Sequence, residues 1–167
     1  MAVLAAYANF GVLERLVVDG STLDSAYNFS NSIGSVRVVI LCFLAVAILD
    51  IVVALALYRV FSSVNRRLAK LAALFRLVYA GVFIVAITQL IQISAARSGE
   101  AYANYAMSNY GGDYILNIEH NINAFYMIWD AGLILFGVHL LIIGYMAYRA
   151  SVMPKFLGIL LAIAGVG

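Results

Sequence analysis

Apolar residues along this chain fall into long unbroken runs rather than alternating patterns. Five are visible, at residues 2–18, 38–58, 71–94, 123–148 and 156–167. A run of about 20 apolar residues is long enough, as a helix, to cross a hydrocarbon core roughly 30 Å thick. Continuous apolarity also argues against β-strands, which would alternate. The pattern therefore predicts an all-α, multi-pass transmembrane helical bundle forming one domain over 1–167. The first run begins at residue 1 and the last is still apolar at Gly167. Both ends are expected to be truncated, so that these residues are the core of something longer.

The polar connections assign an orientation. Arg59, Arg66, Arg67 and Lys70 flank the connection 59–70, and Arg149 and Lys155 flank 149–155. The connections 19–35 and 95–122 instead carry Asp19, Asp24, Glu100, Asp113 and Glu119, against Arg97. Short basic loops stay cytoplasmic. The two basic connections and the N-terminus are thus expected inside, and the two acidic loops outside. Tyr58, Tyr145 and Tyr148 fall at the inner interface, Tyr126 and Trp129 at the outer one, as amphipathic aromatics do. Within the long outer loop, 101–109 reads as a short surface helix and Gly111-Gly112 as a turn. The first outer loop is polar, and its Asn28-Phe29-Ser30 matches a glycosylation sequon, relevant only in a eukaryotic secretory pathway.

Composition narrows the class further. Of 167 residues, 65% are hydrophobic and 11% charged. Soluble domains carry about 25% charged residues. A formal net charge of +2 without a long basic run gives nothing to track nucleic acid. The single cysteine, Cys42, has no intrachain partner and reads as a small buried hydrophobe. No secretory signal is recognisable at the N-terminus.

The residues also carry a resemblance. Leu49-Asp50-Ile51-Val52-Val53-Ala54-Leu55-Ala56-Leu57-Tyr58, Val64-Asn65-Arg66, Leu68-Ala69 and Ala73-Leu74-Phe75-Arg76-Leu77-Val78 resemble the bacterial membrane family known as domain of unknown function 4386. So do Phe136-Gly137-Val138-His139-Leu140, Gly144-Tyr145, Pro154-Lys155-Phe156-Leu157-Gly158-Ile159-Leu160 and the stretch from Ala162 to Gly165. The likeness covers most of the chain in order and includes charged residues inside apolar spans. It implies a prokaryotic plasma-membrane protein of about six spans. It implies no activity.

Ionisable groups inside a span cost roughly 2.5–3.5 kcal/mol on insertion scales, so each is a candidate for function. Helix rise gives their depths. Asp50 lies nine residues from Arg59 and His139 ten from Arg149, so both sit about 13–15 Å from the inner ends of their spans. Arg76, six residues from Lys70, lies about 9 Å in. Asp130 and Gln89, nineteen residues from Arg149 and Lys70, lie about 28 Å away, near the outer face. Asp130 and His139 are nine residues apart on one helix, hence on opposite faces. The pair matched in depth is Asp50 with His139. Ala47 and Ala54 share the Asp50 face and admit a close neighbouring helix.

Each candidate has a structural and a functional reading. Arg76 either snorkels to the inner headgroups, pairs with Asp50, or serves transport. Asp50 is a paired or neutral structural carboxyl, or handles protons or ions. His139 is a hydrogen-bonded packing residue, a proton-transfer partner of Asp50, or an axial ligand to haem or chlorin. His120, in the outer loop, is about 25–30 Å away and cannot complete a bis-His site. Asp130 and Gln89 read as structural polar residues making an outer interhelical hydrogen bond. Gly137 and Gly144, and Gly158 with Ala162, read as close helix packing.

No catalytic array, phosphate-binding loop or metal cluster is recognisable in the sequence. The expectation is a non-enzymatic accessory or interaction subunit of a prokaryotic plasma membrane. Its partners would be the lipid bilayer and other membrane subunits, with no cofactor and no metal. The alternatives are a small-solute or proton-coupled transporter built on Asp50 and His139, and a pigment- or haem-binding subunit built on His139.

Overall fold

In a computed structural model the chain is described at residues 2–18, 20–96, 112–150 and 154–166. Among these residues every regular element is helical. The chain opens with one helical run in three parts: α1 (Ala2–Ala6), the π-helix Tyr7–Leu13, and α2 (Glu14–Leu16). In the wide π segment residues five apart come into register. The Glu14 N–H donates to the Asn9 carbonyl, and the Asn9 side-chain amide donates to Glu14 Oε1 at 3.2 Å. The run ends where Val17 turns extended. Gly20 follows with φ +79°, a left-handed conformation that glycine adopts without steric cost.

The polar stretch 19–35, expected as a loop, contains α3 (Thr22–Asn31). Ser21 is extended and its Oγ accepts from the Asp24 N–H at 3.3 Å, which caps the helix. Ser25, Ala26, Phe29 and Ser30 form the buried face. The helix was missed because this face is half polar and gives no apolar stripe. The sequon Asn28-Phe29-Ser30 lies inside α3 with Phe29 and Ser30 buried, so it is not an exposed loop acceptor.

Residues Ile33–Ala96 are helical except at Asn65, whose backbone is extended (φ −156°, ψ 105°). That residue divides the segment into α4 (33–64) and α5 (66–96). Asn65 Oδ1 accepts from the Arg67 and Leu68 N–H groups at 3.0 and 3.1 Å, a helix N-cap. The expected connection 59–70 therefore shrinks to one residue. Arginine and lysine are good helix formers, so the basic cluster marks polarity and not the end of a helix. α6 (Gly112–Arg149) starts well before residue 123, with Gly112 as its first residue and His120 within it. α7 (Lys155–Val166) follows Pro154. The expected surface helix at 101–109 and Gly111 lie outside the described residues.

Two helical segments, Ile33–Ala96 and Gly112–Arg149, are long and apolar enough to cross a membrane. The contacts divide the chain into two units. One comprises 1–46 with 84–128; the other comprises 47–83 with 129–167. In the first, Phe43 stacks on Phe125 at 5.7 Å, and Phe29, Ile87, Leu90, Ile93, Tyr114 and Ile118 are buried. In the second, Phe61, Ala69, Ala72, Ile143, Met146 and Ala147 form a core where α4, α5 and α6 meet.

The glycines of the second unit bring α6 and α7 to backbone contact. A Cβ on Gly144 would lie 2.8 Å from the Gly158 carbonyl oxygen and 2.9 Å from Ala162 N. One on Gly137 would lie 2.6 Å from the Gly165 carbonyl oxygen. Gly137, Gly144, Gly158 and Ala162 thus form one seam, to which Gly165 belongs as well.

Candidate functional site

The buried polar groups of the second unit converge on one point. Asp50 is 2% exposed, Arg76 6% and His139 0%. α4 places Asp50 on the face that also buries Ala47 and Ala54. α5 places Arg76 among Ala69, Ala72, Ala73 and Ala80, all buried at three- and four-residue spacing. α6 places His139 on the face that buries Gly132, Ile143 and Met146. Small neighbours on α4 and α5 let the helices approach, and the long Arg76 stem crosses the remaining gap.

Arg76 Nη2 donates to Asp50 Oδ1 at 2.5 Å. Its Nη1 lies 3.1 Å from His139 Nε2, and His139 Nδ1 lies 2.8 Å from the Ala72 carbonyl oxygen. A guanidinium only donates and a carbonyl only accepts. Nδ1 of His139 must therefore carry the proton and Nε2 must accept, which fixes the neutral Nδ1–H tautomer. Ala72 is four residues before Arg76, so one turn of α5 presents both a donor and an acceptor to the same imidazole. The Phe136 ring covers the site, with Arg76 Cζ 5.1 Å from its centroid and the His139 ring at 5.8 Å. Tyr79 packs on Phe136 at 5.0 Å and stacks on Phe83, which in turn meets Trp129 at 5.6 Å.

Arg76 is paired with Asp50. The guanidinium lies in the core and does not snorkel. Helical side chains lean toward their own N-termini, which aims Arg76 and Asp50 apart along their helices, and the long arginine stem bridges that offset. Asp50 and His139 are linked through Arg76, which hydrogen-bonds both. Both ring nitrogens of His139 are engaged in hydrogen bonds. No cluster of three or more metal-ligating side chains occurs among the described residues.

Asp130 is exposed, and the Gln89 amide donates to Thr88 Oγ1, its own neighbour, at 3.4 Å. Trp129, expected at an interface, is half-buried against Phe83. Tyr145 and Tyr148 are exposed and carry cations over their rings, Arg149 at 5.7 Å and Lys155 at 5.7 Å. Sequence reasoning missed the Ala72 carbonyl and the Phe136 cover. The first has no side-chain signature. The second was readable, since Phe136 lies three residues before His139 on one helix face.

A family model described as "Domain of unknown function (DUF4386)" matches residues 1–167. An uncharacterised protein of the archaeon Archaeoglobus fulgidus is 34% identical over 122 residues, covering 73% of this chain. The match takes in 57% of that relative, so this chain spans a little over half its length. No solved structure matches.

Proposed function

This chain belongs to the family of domain of unknown function 4386, and from that premise we propose that it is a multi-pass integral membrane protein acting as a non-enzymatic accessory or interaction subunit of a prokaryotic plasma membrane. The membrane part of this reading is supported by the surface of the helices. Their most apolar windows are only 39% and 22% buried within the protein. A core helix of a soluble protein would be mostly covered. Here Leu41, Ile48, Val52, Leu74 and Ile134 remain exposed, at 56–72%. Apolar side chains so widely exposed suit lipid and not water. α4 and α5, at 32 and 31 residues, each extend about 45 Å, well beyond a hydrocarbon core of roughly 30 Å. The basic residues at the α4–α5 turn and the α6–α7 link are then cytoplasmic.

The observation that carries the non-transport reading is the state of the Asp50–Arg76–His139 network. The two charges are paired, the imidazole is neutral, and all three residues are at most 6% exposed. Such a cluster ties α4, α5 and α6 together and offers no free carboxylate or imidazole to a passing ion. The transporter reading draws support from one atom: Arg76 Nε is buried without an acceptor among the described residues.

Three experiments test the reading. Alkaline carbonate should leave the protein in the membrane pellet; release into the supernatant refutes membrane integration. In liposomes loaded with a pH-sensitive dye, the purified protein should give the proton leak of empty liposomes. A flux that Asp50→Asn abolishes would replace the subunit reading with the transporter. Native electrophoresis of mildly solubilised host membranes should show the chain at fixed stoichiometry with a partner.

A further inference from the structure

The second unit holds a groove of about 790 Å³ between α4 and α5, outside the buried network. Its volume lies within the roughly 300–1,000 Å³ of ligand sites. One end is cationic and the other apolar. Arg66, Arg67 and Lys70 line it within the first turn and a half of α5, and Leu74 and Leu77 continue the wall on the same helix, with Leu55 opposite on α4. By helix rise the three cations lie within about 8 Å of the break at Asn65, and Leu74 and Leu77 about 13–18 Å from it.

The three cations are exposed and form no hydrogen bond or ion pair through their side chains among the described residues. The acidic residues of this unit are Asp50 and Asp130, and Asp50 is already held by Arg76. The groove therefore carries uncompensated positive charge directly beside exposed apolar surface. A soluble anion would satisfy the charge and leave the leucines wet. A neutral lipid would cover the leucines and leave the charge.

We propose that the α4–α5 groove is a binding site for one anionic phospholipid. Its phosphate lies among Arg66, Arg67 and Lys70, and an acyl chain runs along Leu74, Leu77 and Leu55. This rests on the membrane reading above, and it follows the same order of depth as a lipid, headgroup at the interface and chain toward the bilayer centre. Each basic side chain at an anionic lipid surface contributes roughly fivefold in affinity, so three give about a hundredfold.

The test uses the full chain in neutral detergent, equilibrated with phosphatidylglycerol or phosphatidylcholine and read by native mass spectrometry. One phosphatidylglycerol should be retained at least tenfold more strongly than phosphatidylcholine. Arg66→Gln, Arg67→Gln and Lys70→Gln together should bring the two lipids to parity. Leu74→Trp fills the apolar half with the charge intact and should also release the lipid. Arg149→Gln with Lys155→Gln should retain it. Equal retention of both lipids by the parent chain overturns the proposal, as does an unchanged preference in the triple variant or in Leu74→Trp. Full competition by millimolar inorganic phosphate also overturns it, because the site would then take a free anion. If the triple variant fails to elute as a single species, Leu74→Trp decides. Failure of the membrane reading shows separately, as release by carbonate.

Discussion

Removing either charge of the Asp50–Arg76 pair should be far more damaging than removing both. Asp50→Leu strands a guanidinium that is 6% exposed, leaving it only the His139 Nε2 acceptor. Arg76→Leu strands a carboxylate that is 2% exposed and deprives His139 Nε2 of its donor. Breaking a buried pair by deleting one partner costs about 3–5 kcal/mol, whereas replacing both by apolar groups is often neutral. In a bilayer the cost of a lone charge is set by insertion, roughly 2.5–3.5 kcal/mol. Neutral interhelical hydrogen bonds there are weaker, averaging about 0.6 kcal/mol. Each single variant should therefore lose about 3 kcal/mol. Asp50→Leu/Arg76→Leu should lose only about 1 kcal/mol, chiefly from the unpartnered imidazole. For a chain of this size 1 kcal/mol corresponds to about 2–4 °C. The singles should melt about 6–12 °C below the parent and the double within about 4 °C. Thermal unfolding in detergent, followed by Trp129 fluorescence and by monodispersity after heating, measures all four proteins. If the two single losses simply add in the double variant, or if each single lies within about 2 °C of the parent, the network is not the clamp described here.

Further outcomes follow from the same contacts. Gly144→Ala and Gly158→Ala place a Cβ 2.6–2.8 Å from backbone of the facing helix. They should cost about 1–3 kcal/mol by overpacking and expose α7 to limited proteolysis. Gly81→Ala, which meets nothing within 4 Å, should be neutral or stabilise by up to about 1 kcal/mol. Asn65→Ala removes the acceptor for two N–H groups at the start of α5 and should cost about 1 kcal/mol, with Asn65→Asp retaining the cap. Added haemin should give the same spectrum with the parent and with His139→Leu; a Soret band that His139→Leu abolishes would contradict the double engagement of its ring.

The linear sequence by itself determined the helical class of the described residues. Runs of apolar residues long enough to cross a membrane are a one-dimensional property, and so is their helical state, since continuous apolarity without alternation argues against strands. Depth along a helix is also linear, which is why Asp50 and His139 could be matched in level before any contact was known. The glycine seam was legible for the same reason: small residues at seven- and four-residue spacing fall on one face. Local capping was written in the chain too, at Ser21 and Asn65, but it was masked by polar surroundings that read as loops.

What only the tertiary structure decided is azimuth and contact. Helix rise says how far Arg76 lies along α5. It does not say how closely α4 approaches, and that distance, set by alanines on both faces, turns a snorkelling arginine into the centre of a buried network. The Ala72 carbonyl could not be anticipated, because a backbone oxygen carries no residue identity. It becomes the acceptor that fixes the His139 tautomer only once α6 is packed against α5. Buried charge is costly wherever it stands, so the sequence could name the candidates. Whether they are free to act or occupied with one another depends on three helices meeting at one point.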